Sequence, residues 1–186
     1  MCEILYLVAK TKRVSIKLDA IQVILGRRSI RKFTGETIPE NDVKLLLEAA
    51  MAAPSACNQQ PWHYIVVKDK ATFDKITEAQ PYTRMLPKAS IAVIVCADPN
   101  LQTCPGFWVQ DCSASTENLL LAAHAMGYGA TWCGIYPNDD TVWKIRELLG
   151  IPKTVYPLCV VAVGVPDEEK PPADRYNQAR VHTEKW

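Results

Sequence analysis

Runs with helical periodicity alternate with short β-rich runs along the 186 residues, which predicts one α/β-type domain carrying a long C-terminal arm. Residues 91–97 and 156–165 are continuous apolar, β-branched runs, the pattern of central strands buried on both faces. Around them, segments with apolar residues at i, i+3, i+4 and i+7 read as amphipathic helices. The arm is set by residues 166–186, which are proline-rich, charged and without period, and therefore neither extend a strand nor start a helix.

Taken in order, residues 1–18 show no periodicity and read as an extension ahead of the domain proper, residues 19–186. Asp19 is placed to cap a helix through Gly26, with Ile21, Ile24 and Leu25 on one face. Pro39 opens a second helix in which Val43, Leu46, Leu47 and Ala50 share a face. Residues 62–68 read as a strand, and 71–80 as a short helix with Phe73 and Ile76 inward. The strand 91–97 stops at Asp98-Pro99-Asn100, and residues 101–108 read as a loop. A long helix follows over 109–126, stopped by Gly127. Residues 130–136 form a strand, and Asn138 or Asp139 caps a helix with Val142, Ile145 and Leu149 inward and Gly150 as its stop. No repeat and no low-complexity tract interrupts the series.

Composition narrows the function classes. Apolar residues make up 48% and charged residues 22%, and the net charge is +1. With no global field to attract nucleic acid or an anionic membrane, any anion site must come from a local cluster. The longest clean apolar run, 91–97, is far short of the roughly 20 residues of a membrane helix. Residues 1–8 are apolar but lack a basic leader and a small-residue cleavage site, so no secretory signal is expected. The seven cysteines form no C-x-x-C and no metal spacing, and their odd, unpatterned number fits a reducing cytoplasm. Cys96 and Cys159 read as small buried hydrophobes, and three scattered histidines give no metal site.

Two segments carry more chemistry than their place in the chain requires. The first runs from Ala53 to Tyr64, between a helix and a strand, and holds Pro54, Ser55, Ala56, Cys57, Asn58, Gln59, Gln60 and Pro61. Its prolines fix the backbone. Its hydroxyl and amides donate and accept hydrogen bonds, as the edge of a flat heterocycle with alternating C=O and N–H groups requires. Asn58 is the best ring-edge ligand among them. Cys57 reads as a spectator thiol, because no histidine or helix N-terminus is placed to lower its pKa. The second segment is Arg27-Arg28-Ser29-Ile30-Arg31-Lys32-Phe33, where three guanidiniums and a hydroxyl fall within five residues. Such donors take a phosphate monoester bidentately. As a bare basic cluster it would be a solvated face, so the two segments together argue only for a phosphate-bearing, ring-shaped ligand, with FMN leading. Residues 127–134 lack the phosphate-loop glycine spacing. Gly134 instead marks close approach of backbone to a flat partner, to whose reactive nitrogen a peptide N–H there can donate.

With these motifs in order, the chain from about residue 19 to the end resembles the FMN-dependent nitroreductase family. The strongest parts are residues 27–33, 54–63 and 129–134 and the ending Val181-His182-Thr183-Glu184-Lys185-Trp186. The resemblance implies an α+β fold, a central, mostly antiparallel sheet flanked by helices, in an intertwined homodimer with FMN at the interface and an extended C-terminal arm, 166–186. It implies that Arg27, Arg28, Ser29 and Arg31 meet the phosphate and pyrimidine, and that Pro54, Ser55, Ala56 and Asn58 come from the partner subunit. Cys133 and Gly134, after Trp132, present backbone near flavin N5. Arg175, less surely Lys170, closes on the phosphate, and Arg84 lies near the N1–O2 edge. Larger members often carry an acid where Cys133 stands. The implied activity is hydride transfer from NADH or NADPH to nitroaromatic, quinone or similar small-molecule acceptors by a ping-pong cycle needing no side-chain nucleophile. Enone reduction, reductive dehalogenation and a non-catalytic flavin-binding redox sensor are the alternatives. Phe107 and Trp108 stand either as rings stacking on the acceptor or as a plug holding the following helix to the core.

Overall fold

The apolar runs at 91–97 and 156–165 do occupy the middle of the sheet. In the computed structural model, which describes residues 19–186, the strands are β1 (Trp62–Val67), β2 (Ile91–Ala97), β3 (Gly129–Gly134) and β4 (Tyr156–Gly164). They form one sheet in the order β1-β2-β4-β3, with every pairing antiparallel. Every residue of β2 is buried, and so is all of β4 after Tyr156. The α/β-type reading of the bare residues is thus corrected to the α+β arrangement that the resemblance implied. A continuous apolar run reports that both faces are covered; it carries no information on strand direction.

Two layers cover the faces. Ile91, Val93, Val95 and Ala97 pack with residues of α2 (Glu40–Met51) and α4 (Trp108–Ala125). Ala92, Ile94 and Cys96 point the other way, with Phe73 and Ile76 of α3 (Lys70–Ala79) and Val142 and Ile145 of α5 (Asp139–Leu149). This is the period-two alternation of a strand with two buried faces. The caps are those the sequence called for. Asn138 accepts from the Thr141 N–H at 2.9 Å, and Gly150 ends α5 in the left-handed region at φ 64°.

Two further expectations about the elements fail. Asp19 does cap α1 (Ala20–Gly26), in a capping box with Gln22. However, Ile21, Ile24 and Leu25 are 64%, 53% and 63% exposed, and only Val23 is buried. A one-face apolar pattern on a two-turn helix does not say whether its own chain supplies the cover. Trp108, read as the end of a loop, is the first residue of α4. Its ring packs edge-on to Tyr136 at 4.8 Å and stacks on Tyr156 at 5.5 Å, which seats the helix start against the sheet end. The extension 1–18 lies outside the described residues.

Candidate functional site

The segment after α1 is held along the outer edge of β3. The Ile30 N–H donates to the Ala130 carbonyl at 3.0 Å, and Ser29 bridges to Ala130 in parallel. Gly129 permits this approach: a Cβ there would lie 2.6 Å from Ile30 Cγ2. Three residues further on, Phe33 bridges to Pro166. Arg27 to Phe33 is therefore fixed between β3 and the start of the C-terminal arm.

At the other end of β3 the 3₁₀ turn Pro81–Thr83 docks. Gln80 Nε2 donates to the Gly134 carbonyl, and Cys133 Sγ lies 3.2 Å from the Tyr82 carbonyl. Burial pushes the Cys133 thiol up, so it is a packed, neutral group there. Arg31, Pro81, Tyr82, Arg84 and Met85 line a cavity of about 600 Å³. Among the described residues neither Arg31 nor Arg84 has a carboxylate within ion-pair distance. Gly134 is exposed, and a Cβ on it would meet nothing nearer than the Tyr136 carbonyl at 3.9 Å. Within the chain its close approach to a flat partner is not realised; that side is open.

Arg27 is employed differently from Arg31: its Nε donates to Glu117 of α4 at 3.0 Å. Arg28 donates through Nη1 to the Pro171 carbonyl, and Lys170 Nζ to the Ser29 carbonyl at 2.8 Å. Glu168 accepts from the Arg31 N–H at 2.6 Å and the Lys32 N–H at 3.2 Å, and pairs with Lys170 at 3.2 Å. Lys170 thus pins the arm to the arginine segment, whereas Arg175 is exposed.

The Arg31 N–H first, then Lys170, hold the Glu168 carboxyl below the usual carboxylate range. A depressed folded pKa contributes stability above the unfolded value, about 4.3, and loses it as pH falls towards the folded value. Protease cleavage in the arm is therefore expected to accelerate only below about pH 4. Glu168→Gln should already show rapid cleavage at neutral pH; a wild-type pH profile in that variant would count against the tether.

The segment from Pro54 to Pro61 sits elsewhere, ahead of β1 on the opposite sheet edge. Three strand spacings, roughly 14 Å, separate β1 from β3. Its amides are largely committed to its own shape. Gln59 Nε2 donates to Asp111 Oδ2 at 2.5 Å, and its Oε1 accepts from the Thr103 and Cys104 N–H groups at 3.1 and 3.0 Å. The Ala56 N–H donates to Asp111 Oδ1 at 2.9 Å, and the Gln60 N–H to Ser55 Oγ at 3.0 Å. Gln59 is therefore a structural amide. Asn58 is exposed, and among the described residues its Oδ1 accepts only from the Gln60 side-chain amide, at 3.1 Å.

Cys57 is not a free thiol: it is bonded to Cys104 across 47 residues of sequence. The pairing was illegible because it joins two loops that meet only in the fold. Cys96, Cys112, Cys133 and Cys159 are free and buried, and burial raises Cys96 and Cys112 to about 12. Asp111, only 4% exposed, is the residue that sequence reasoning missed. Its signal was present: it shares the inward i, i+4, i+8 face of α4 with Ser115 and Leu119, where a carboxylate needs a partner.

Arg27, Arg28, Ser29, Arg31, Arg84, Trp132, Cys133, Gly134 and Lys170 thus gather around β3. Pro54, Ser55, Ala56 and Asn58, with Phe107 and Trp108, lie towards the end of the sheet where β1 starts. Phe107 is 48% exposed, while Trp108 is engaged with Tyr136 and Tyr156. Among the described residues no cluster of three metal-ligating side chains occurs, and no helix is long and apolar enough to cross a membrane.

This arrangement has relatives. A protein of Archaeoglobus fulgidus, provisionally named NADH dehydrogenase/NAD(P)H nitroreductase, is 48% identical over 172 residues, 90% of this chain and 99% of that one. The crystal structure of a Parabacteroides distasonis protein with the same provisional name superposes with a TM-score of 0.86 at 37% identity, covering 89% of this chain and 98% of that chain. An FMN-dependent nitroreductase from Clostridium difficile gives 0.82 at 26% identity, covering 89% and 99%. Residues 24–93 and 105–165, which hold β1, the start of β2, β3, β4 and the arginine segment, match the pattern of one family, and the chain belongs to the nitroreductase family.

Proposed function

We propose that the protein is an NAD(P)H-dependent FMN oxidoreductase that passes electrons to nitroaromatic, quinone or similar acceptors. The observation that carries this reading is the cavity beside β3, lined by Arg31 and Arg84, neither of which has a carboxylate partner among the described residues. Its size falls among small-molecule sites, and the donors suit a dianionic phosphate and a carbonyl edge. Arg28, Ser29 and Arg31 are assigned to the phosphate and pyrimidine, Arg84 to the N1–O2 edge, and Lys170 and Arg175 to closing the arm. Arg27, tied to Glu117, supports the segment from behind. Bound FMN supplies the hydride chemistry and electron storage. The protein orients, neutralises and excludes water, and Cys133 and Gly134 contribute backbone only.

Asn58 and its neighbours lie too far from this cavity to complete it within one chain. A second copy supplies them in this reading, making a homodimer with FMN at the interface. The exposed Ile21, Ile24 and Leu25 are an apolar face that such a partner would cover. Phe107, exposed beside the same segment, is the ring left free to stack on an acceptor.

The purified protein should be yellow and release about one FMN per chain. Arg31→Ala should weaken FMN binding by about 1.5–3 kcal/mol, roughly 10- to 150-fold. Because donor and acceptor visit one site in turn, double-reciprocal plots with NAD(P)H and a nitroaromatic or quinone should be parallel. Intersecting lines would overturn the shared site; release of FAD, or no flavin after reconstitution, would overturn the cofactor.

A further inference from the structure

Asn58, the ring-edge residue of the proposed site, stands in the left-handed region at φ 51°, between Cys57 at φ 50° and, two residues on, Gln60 at φ 46°. Asparagine visits that region more readily than most residues, but cysteine and glutamine do not. Such a backbone persists only where its surroundings over-determine it. Resting on the reading of residues 54–58 as the segment that meets the partner subunit's FMN, we propose that Asp111 is a positioning residue of the flavin site. It acts through Ala56 and Gln59 to aim Asn58 at the ring edge.

The carboxylate brackets Asn58 along the chain. Asp111 Oδ1 accepts from the Ala56 N–H at 2.9 Å, two residues before Asn58, and Oδ2 from Gln59 Nε2 at 2.5 Å, one residue after it. Gln59 carries the constraint onward, since its Oε1 accepts from the Thr103 and Cys104 N–H groups at 3.1 and 3.0 Å. The support itself is fixed. Asp111 is 4% exposed, lies in the first turn of the 18-residue α4, and its own N–H donates to the Phe107 carbonyl at 3.0 Å. Moving either donor would leave a buried charge short of a partner, so the bracket resists displacement.

Other ties do not replace it. The Asn58 N–H donates to the Ser55 carbonyl at 3.1 Å and the Gln60 N–H to Ser55 Oγ at 3.0 Å. Both bonds begin and end in the loop, so they shape the turn without fixing its orientation on α4. The Cys57–Cys104 bond crosses to a neighbouring loop, but it fixes one point where the carboxylate fixes two. Because a hydrogen bond weakens steeply with misalignment, a small rotation of the loop is enough to waste the Asn58 amide.

A double-mutant cycle on the holoenzyme tests this. FMN dissociation constants are read from flavin fluorescence on serial dilution, with circular dichroism confirming the fold and thiol titration confirming the intact disulfide. Asn58→Gly, which suits the left-handed backbone, should raise the constant about five- to tenfold with the melting temperature little changed. Asp111→Asn should raise it by a similar factor. The double variant should lie close to either single one, because an unaimed asparagine contributes as little as an absent one. Gln59→Met removes one arm of the bracket and leaves Asp111 in place; it should follow Asp111→Asn, and it gives the same reading if that variant folds poorly. Factors that multiply in the double variant, or an Asp111→Asn protein that melts lower yet holds FMN as tightly as wild type, would mean that Asp111 supports the fold alone and would overturn the proposal. Unchanged binding in Asn58→Gly would overturn it too, since nothing would remain for Asp111 to aim. A wild-type protein that binds no FMN would overturn the flavin reading and this proposal with it, a result that no variant can imitate.

Discussion

Deleting residues 167–186 is expected to give apoprotein that is monomeric or aggregated. The arm begins as an extension of the sheet edge, with the Asp167 N–H donating to the Lys32 carbonyl at 2.9 Å. Glu168 and Lys170 then tie it to the backbone of Ser29, Arg31 and Lys32. Removing them frees the segment that carries the proposed phosphate donors. Beyond residue 172 the arm gains little from its own chain. Tyr176 is 73% exposed and Trp186 fully so, although the Trp186 ring stacks on His182 at 4.5 Å. A tail so exposed does not offset its ordering entropy by itself. Draped over a second copy, it would bury both rings in an interface of more than roughly 2,000 Å², the range of obligate homodimers. Light scattering and flavin absorbance of the truncated protein decide the matter: a dimer with full FMN content would refute the role given to the arm.

The second large effect is expected at Asp111. Its carboxylate is buried and receives the Ala56 N–H and the Gln59 side-chain amide. Asp111→Ala removes two charge-assisted bonds and leaves both donors without their acceptor, a cost of about 3–5 kcal/mol. For a chain of this size that corresponds to a melting temperature lower by roughly 10 °C. Asp111→Asn should recover part of the loss by still accepting from Ala56, but its amide nitrogen opposes that of Gln59. Calorimetry on the three proteins tests the order wild type, Asn, Ala. An alanine variant melting within a degree or two of wild type would mean that the disulfide alone holds the loop.

Local chemistry was legible wherever a residue acts on its own neighbours. The Asp19 and Asn138 caps, the Gly150 stop, the inward Phe73 and Ile76, and the two central strands follow from rules operating within a turn or a pleat. The arginine segment could be singled out for the same reason, since a phosphate-type donor set is short and contiguous. The family resemblance added the antiparallel sheet, which periodicity cannot give, because burial on both faces is the same for either strand direction.

What only the tertiary structure decided are the partnerships across the chain. Lys170 reaches Ser29, Arg27 is spent on Glu117, and Cys57 is bonded to Cys104. Gln59, an amide like Asn58, is consumed by Asp111 and two loop amides. An amide or a thiol has the same chemistry whether it is aimed at a ligand or at its own fold. The sequence by itself therefore determined which groups this protein carries, the positions of its elements and the family it resembles. Which of those groups are left unpaired to meet a ligand was decided by the packing of segments distant in the chain, because hydrogen bonds and disulfides are short-ranged and form only between atoms that the fold brings together.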